Sequence, residues 1–208
     1  MERFLDVHGR AHTFLEPNAG SWGDAHADVT PMMGLALRSI HPLNPSIKNI
    51  RLAVIRERRA NGIWNSFWWP TDAYATAWSL EFLGRTGGIS DAIRADATAW
   101  LREDPCALNA FELSLRLFTA VFLGLSLKDL TSALIDRLLD LRLGNEGWAP
   151  SALLRVPRKS GCDISSSELH PDLNGLMTTA LASAALAHWL RDTGVISSES
   201  DSTVALRA

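Results

Sequence analysis

Apolar positions along the chain recur with helical periodicity, and strand-like alternation is nearly absent. In one set of segments the apolar residues keep to a single face. Ile47, Ile50 and Val54 form such a stripe, followed by charged Arg56, Glu57, Arg58 and Arg59. "SDAIRADATAWLRED" places Ile93, Ala97, Trp100 and Leu101 on one side. "LKDLTSALIDRLLDLRLG" does the same with Leu130, Leu134, Leu138 and Leu141, and runs out at Gly144, a residue type that ends helices. Helices of this kind keep one side in water. A second set is apolar nearly all round: "DVTPMMGLALRSI", "TDAYATAWSLEFL", "NAFELSLRLFTAVFLGL" and "LNGLMTTALASAALAHWL". These are rich in Ala, Gly, Ser and Thr, small residues that let buried helices approach closely. The two sets alternate, so the pattern predicts an outer helix followed by an inner helix, about four times over.

A second periodicity supports the first. Gly-x-Trp occurs at Trp22 and Trp64, 42 residues apart, and a shorter Gly-Trp at Trp148, a further 84 residues on, twice the same interval. The skipped beat falls at position 106, where the chain reads "DPCALNAF". A period of this length with two helices per unit is the signature of an α/α solenoid or a full or partial α/α toroid. The expected organisation is one domain over residues 1–196 and a disordered polar tail over 197–208.

Composition narrows the function. The chain has 208 residues, 47% hydrophobic and 21% charged, with a net charge of −3. That balance excludes no globular class but argues against nucleic acid as a partner. The two cysteines, Cys106 and Cys162, do not make a disulfide framework. Reduced thiols and a cytoplasmic location are the expectation. The N-terminus lacks the apolar run of a signal peptide, and no stretch is long enough to span a membrane.

"AGSWGDAHADVTPMMGLALRSI" resembles the aromatic–glycine repeat of the squalene–hopene cyclase and prenyltransferase superfamily: Gly-Ser-Trp-Gly, a short loop, Asp-x-Thr, then a Leu/Ala-rich inner helix. "NSFWWPTDAYATAWSLEFL" and "GWAPSALLRVPRKSG…LMTTALASAALAHWL" are similar to later repeats of bacterial terpene-cyclase-like proteins. The resemblance covers roughly residues 15–194. It implies an α/α barrel whose inner helices surround an apolar cavity, and chemistry on isoprenoids or prenyl groups. Two motifs of that superfamily are missing. There is no Asp-x-Asp-Asp acid motif, and "HPDLNGLMTT" carries Gly175 where the zinc-binding His of a prenyltransferase would stand. Four helix pairs are also fewer than a closed ring of that superfamily holds, which leaves the barrel open or completed by a second chain.

The residues that begin the inner helices are Asp28, Thr71–Asp72, Asn109 and Asp172. All are good N-cap types, and capping alone accounts for them. In an α/α barrel they would also ring one rim of the cavity. A carboxylic acid there would have its charged form disfavoured by desolvation, the condition for a general acid, while the helix dipole pulls the other way. Asp28, Asp72 and Asp172 are therefore the candidate acids. Trp68, Trp69, Tyr74 and Trp78 are candidate lining, with ordinary core packing as the competing explanation for Tyr74, Trp78 and Phe82 on one helical face. The stretch Ala152 to Asp172 reads as a long irregular loop. Its basic half holds Arg155, Arg158 and Lys159, with Arg158 the candidate for an anionic head group. Glu112 and Arg116 read as an ion pair within one helix. The clusters Asp24, His26, Asp28 and Cys162, Asp163, His170, Asp172 lack zinc spacing, so no metal and no cofactor is expected.

These observations combine into a terpene-cyclase-like protein. It binds an apolar polyene, isoprenoid-like or polyketide-like molecule and promotes cyclisation or rearrangement through a shaped cavity and a rim acid. The alternative is a non-catalytic helical-repeat module or a remnant of a longer cyclase. A homodimer is admitted as a way of completing the ring.

Overall fold

The computed structural model describes residues 2–15, 20–103, 108–124, 128–156 and 167–194. Among the described residues seven α-helices follow one another: α1 (Thr30–Ile40), α2 (Ser46–Arg56), α3 (Ala73–Arg85), α4 (Asp91–Leu101), α5 (Ala110–Phe122), α6 (Lys128–Asp140) and α7 (Leu176–Asp192). The odd-numbered helices are those that read as apolar all round. They pack in chain order, α1 on α3, α3 on α5, α5 on α7, and α2 and α6 lie behind α1 and α5. The result is an arc of four inner helices. The helices α1 and α7 stand at its two ends, with no extensive packing between them among the described residues.

Two expectations are corrected here. Only three outer helices occur among the described residues, because the segment ahead of α1 carries short 3₁₀ turns and isolated bridges instead of an outer helix. The stretch expected to be an irregular loop contains a two-stranded antiparallel sheet, β1 (Leu153–Val156) and β2 (Glu168–Pro171), with Leu153 opposite Pro171. Its four-residue strands are too short for alternation to show in the sequence. Arg158 and residue 106 lie outside the described residues, as does the tail.

The aromatic–glycine beat has a physical role that the structure makes plain. The Trp64 indole N–H donates to the carbonyl of Val54, near the end of α2, at 2.7 Å. The Trp148 indole N–H donates to Leu138, near the end of α6, also at 2.7 Å. Each Trp backbone N–H donates in turn to an inner-helix threonine, Thr76 at 3.2 Å and Thr179 at 3.1 Å. One residue thus satisfies an orphan carbonyl at the outer helix's C-terminus and ties it to the next inner helix. The preceding glycines, Gly62 and Gly147, hold positive φ of 84° and 95°, and a Cβ on either would strike Asp96 or Thr179. Trp22 and Trp64 are buried to within 1%. At about 25 cal/mol per Å² a buried Trp contributes at most about 4–6 kcal/mol.

Where the beat is skipped, another group takes its place. Arg116 of α5 donates to the carbonyl of Trp100, near the end of α4, at 2.6 Å and lies 4.7 Å over that residue's own ring. It also pairs with Glu103 at 2.6 Å. The expected Glu112–Arg116 pair does not form. Glu112 instead folds back onto Asn109 in a capping box that starts α5. The core follows the arc in three clusters, centred on α1–α3, α3–α5 and α5–α7.

Candidate functional site

Asp28 is held by backbone 39 and 40 positions away, whereas Asp72 and Asp172 accept hydrogen bonds from residues six positions away. Only Asn109 caps its helix with its own side chain. Asp28 does not cap α1, whose N-cap is Val29. Its Oδ2 accepts instead from the backbone N–H groups of Phe67 and Trp68, at 2.9 and 2.7 Å, in the loop of the next repeat. Asp72 stands at the α3 N-cap without capping it. It accepts from the Ser66 N–H at 3.1 Å and pairs with Arg59 at 3.3 Å, with its side chain 31% exposed. Asp172 accepts from the N–H and hydroxyl of Thr178, at 2.9 and 3.2 Å. Thr178 in turn receives the N–H groups of Ser151 and Ala152, fastening the hairpin to α7.

Asp28 is the acid in the most unusual setting. It is 3% exposed, and its Oδ1 is buried with no hydrogen-bond partner among the described residues. Burial pushes its carboxyl up to about 6, against the pull of the Trp68 and Phe67 N–H groups and, more weakly, Arg155. Tyr74 is near enough to feel the Asp28 charge. Burial first, and that charge second, push its phenol up to about 12, so it stays neutral at ordinary pH. Arg155 reaches the site from β1. Its backbone N–H donates to the carbonyl of Trp68 at 2.7 Å, and its buried Nε has no partner among the described residues.

Aromatic rings form two groups. Trp22, Phe67 and Trp68 form the first, with Trp22 4.9 Å from Phe67 and 5.1 Å from Trp68. His26 stacks on Phe67 at 3.6 Å, and the Trp68 indole donates to Thr13 at 3.1 Å. The second group runs across the inner helices. Trp69 and Tyr74 stack at 4.9 Å, Tyr74 meets Trp78 at 6.0 Å, Trp78 meets Phe118 at 5.6 Å, and Phe118 meets His188 of α7 at 5.1 Å. Trp68, Tyr74 and Trp78 keep part of their surface open. Trp69, only 7% exposed, backs the wall from behind Tyr74 and Phe111. Phe82, on the same helical face as Tyr74 and Trp78 by spacing, is fully buried among α1 and α3 side chains.

Glu57 escaped the sequence reading. It follows α2 directly, where the helix dipole disfavours a negative charge. Burial pushes its carboxyl up to about 7, and Asp6 and Asp28 add to the effect while Arg10 opposes it. It lines a cavity of about 420 Å³ with His8, Arg10, Ala53 and Arg56. In the sequence it stands inside the run Arg56–Arg59, which reads as a solvated charged face.

No family model matches the chain, and no curated protein matches its sequence. Solved structures do share its fold. A protein from Actinoplanes is 23% identical with a TM-score of 0.73, over 89% of this chain and 66% of that one. The type II terpene cyclase MstE from Scytonema is 21% identical with a TM-score of 0.72, over 91% of this chain and 66% of the cyclase. A variant of that cyclase with Asn in place of an Asp, in complex with its substrate geranylgeranyl dihydroxybenzoate, is 20% identical with a TM-score of 0.71, over 93% and 65%. At these identities the likeness is one of fold, a mostly helical terpene-cyclase-like architecture. The chain spans about two thirds of the length of these neighbours. Among the described residues no helix is long and apolar enough to cross a membrane.

Proposed function

We propose that this chain binds an apolar, isoprenoid-type molecule along the aromatic wall of its inner helices and promotes cyclisation, with Asp28 as the acid. The observation that carries the reading is the Asp28 carboxyl, buried beside partly open aromatic rings with one oxygen unpartnered among the described residues. Two backbone N–H groups fix Oδ2, which leaves Oδ1 to hold the proton. In the step proposed, the Oδ1–H bond breaks and a C–H bond forms at one carbon of an alkene. Cationic charge develops on the more substituted carbon. The indole and phenol faces of Trp68, Tyr74 and Trp78 stabilise that charge by roughly 0.5–2 kcal/mol each. The π pair of a second alkene in the same molecule attacks that cation, forming the C–C bond that closes the ring and moving the positive charge to the second alkene's other carbon. A neighbouring C–H bond then breaks, its electron pair forming the product alkene and its proton leaving to water, and Asp28 is reprotonated from solvent. The acids Asp72 and Asp172 serve this reading as loop clamps, and Arg155 takes the anion-facing part that Arg158 held by sequence.

The fold shared with the Scytonema cyclase supports the substrate class and supplies the probe. The purified chain is incubated with geranylgeranyl dihydroxybenzoate, and products are followed by mass spectrometry and chromatography. Asp28→Asn is expected to lose about 10²-fold or more of the rate, with unchanged circular dichroism. Full turnover by a folded Asp28→Asn variant refutes the acid assignment.

A second reading has its own observation. Leu173 and Leu176, at the start of α7, are 85% and 76% exposed, an apolar surface at the open end of the arc. A helical-repeat assembly module would cover it with another chain. Mass against concentration separates the two: an oligomer with no affinity for the probe supports the module, and a monomer that quenches its Trp fluorescence on adding the probe supports the ligand-binding protein.

A further inference from the structure

The end of the arc away from Asp28 carries a feature that cyclisation does not use. Helix α1 begins beside Asp28 and ends at Ile40, and α3 ends at Arg85, so both inner helices finish on this side. Between them and the start of α2 lies a cleft of about 360 Å³. Four cations line it, Arg38, Lys48, Arg51 and Arg85, and among the described residues its lining holds no carboxylate. That runs against a chain whose overall charge is −3. Two of the cations have structural work. Arg51 donates to the Thr86 carbonyl at 2.6 Å, and Arg85 pairs with Glu81 at 2.8 Å. The nearby Glu2 carboxylate is occupied by the Asn44 amide at 2.8 Å and the Ser46 hydroxyl at 3.3 Å.

An apolar tip projects beside the cations. The turn His41–Pro45 lifts Leu43 to 96% exposure between Pro42 and Pro45, and Ile40 next to it is 56% exposed. Prolines on both sides restrict the backbone, so presenting Leu43 costs little further ordering. A bare leucine on a stiff turn has no use in water. A cluster of cations around such a tip matches the boundary of an anionic bilayer, with charge at head-group level and the leucine in the acyl region.

We infer that this end of the arc docks on an anionic lipid surface, with a lipid phosphate in the Arg38–Lys48–Arg51–Arg85 cleft and Leu43 in the bilayer. The assignment is independent of the reaction at Asp28. It needs no spanning helix, and it places the molecule where apolar substrates of any kind concentrate.

The test is co-sedimentation of the full chain with phosphatidylcholine vesicles, with and without a third of phosphatidylglycerol. Binding is expected only to the anionic vesicles and is expected to fall as salt is raised. An Arg38→Gln, Lys48→Gln double variant removes two cations that hold no side-chain hydrogen bond or ion pair among the described residues. Affinity is expected to drop about 25-fold, roughly fivefold per cation. Leu43→Asp is expected to cost about tenfold or more. All three positions lie on the surface, and circular dichroism confirms folding. Absence of sedimentation with anionic vesicles at low salt overturns the proposal. So does binding that Leu43→Asp leaves unchanged while inorganic phosphate displaces it, the result for a soluble phosphate ligand.

Discussion

Replacing Asp28 by Asn tests the burial of this carboxyl without any substrate. In the folded chain the group titrates at about 6, against 3.8 for a solvated Asp. The folded state therefore holds the proton more tightly than the unfolded state does. The sign follows: ionised Asp28 destabilises the fold. The penalty is absent below the unfolded value, grows as pH rises from about 4 to 6, and is complete above the folded value. Fully developed it amounts to about 3 kcal/mol, and about 1 kcal/mol of it is already in place near pH 4.5. Asn does not titrate. Its carbonyl oxygen can accept both the Phe67 and Trp68 N–H groups as Oδ2 does. Its amide N–H₂ then occupies the position of Oδ1, where no partner waits among the described residues. That costs about 1–3 kcal/mol at every pH.

Stability of Asp28→Asn relative to the natural chain is therefore expected to improve by about 2 kcal/mol from pH 4.5 to pH 7.5. Glu57, at about 7 and raised in part by Asp28, is relieved by the same change and moves the difference in the same direction. The assay is urea denaturation of both proteins at several pH values across that range, with the difference in unfolding free energy plotted against pH. A difference flat to within about 0.5 kcal/mol would sink the claim that Asp28 is buried with a displaced proton affinity.

Three further outcomes follow from the scaffold. Trp64→Phe and Trp148→Phe each lose an indole bond to an outer-helix carbonyl at 2.7 Å, so each is expected to cost about 1–3 kcal/mol in denaturant unfolding, with the two effects adding because the sites are separate. Gly147→Ala forces a side chain onto φ 95° and against Thr179, and a loss of about 2 kcal/mol or more in the same assay is expected, where a neutral result would remove the close approach. Arg116→Met is expected to cost about 1–3 kcal/mol through the lost Trp100 carbonyl bond, whereas Glu103→Gln, on a residue 61% exposed, should cost under about 1 kcal/mol. Equal costs for those two variants would make the ion pair the important contact.

Much of the fold was legible in the chain because helix formation and repeat spacing are local. The apolar stripes place α2, α4 and α6, and the segments apolar all round place α1, α3, α5 and α7. The interval between Trp64 and Trp148 is repeated in the interval between the carbonyls they hold, Val54 and Leu138. The hairpin was not legible, since two strands of four residues carry no readable period. Neither was the absent outer helix ahead of α1. The site was half legible. Asp28 was singled out as a cap at the start of an inner helix, yet it caps nothing and binds backbone 39 and 40 residues away.

The sequence by itself determined a mostly helical repeat, its period, its inner and outer faces and the aromatic density around Trp68 and Tyr74. These depend on side-chain pattern and on intervals of a few turns. The tertiary structure alone decided which acids have their proton affinity raised, which aromatic rings stay open, that Glu57 is half-buried at the end of α2, and that Arg116 replaces a missing tryptophan. Those depend on which backbone and which charge the fold brings opposite a group. The energy of a carboxyl is set by the neighbours that replace its water, and those neighbours come from distant parts of the chain.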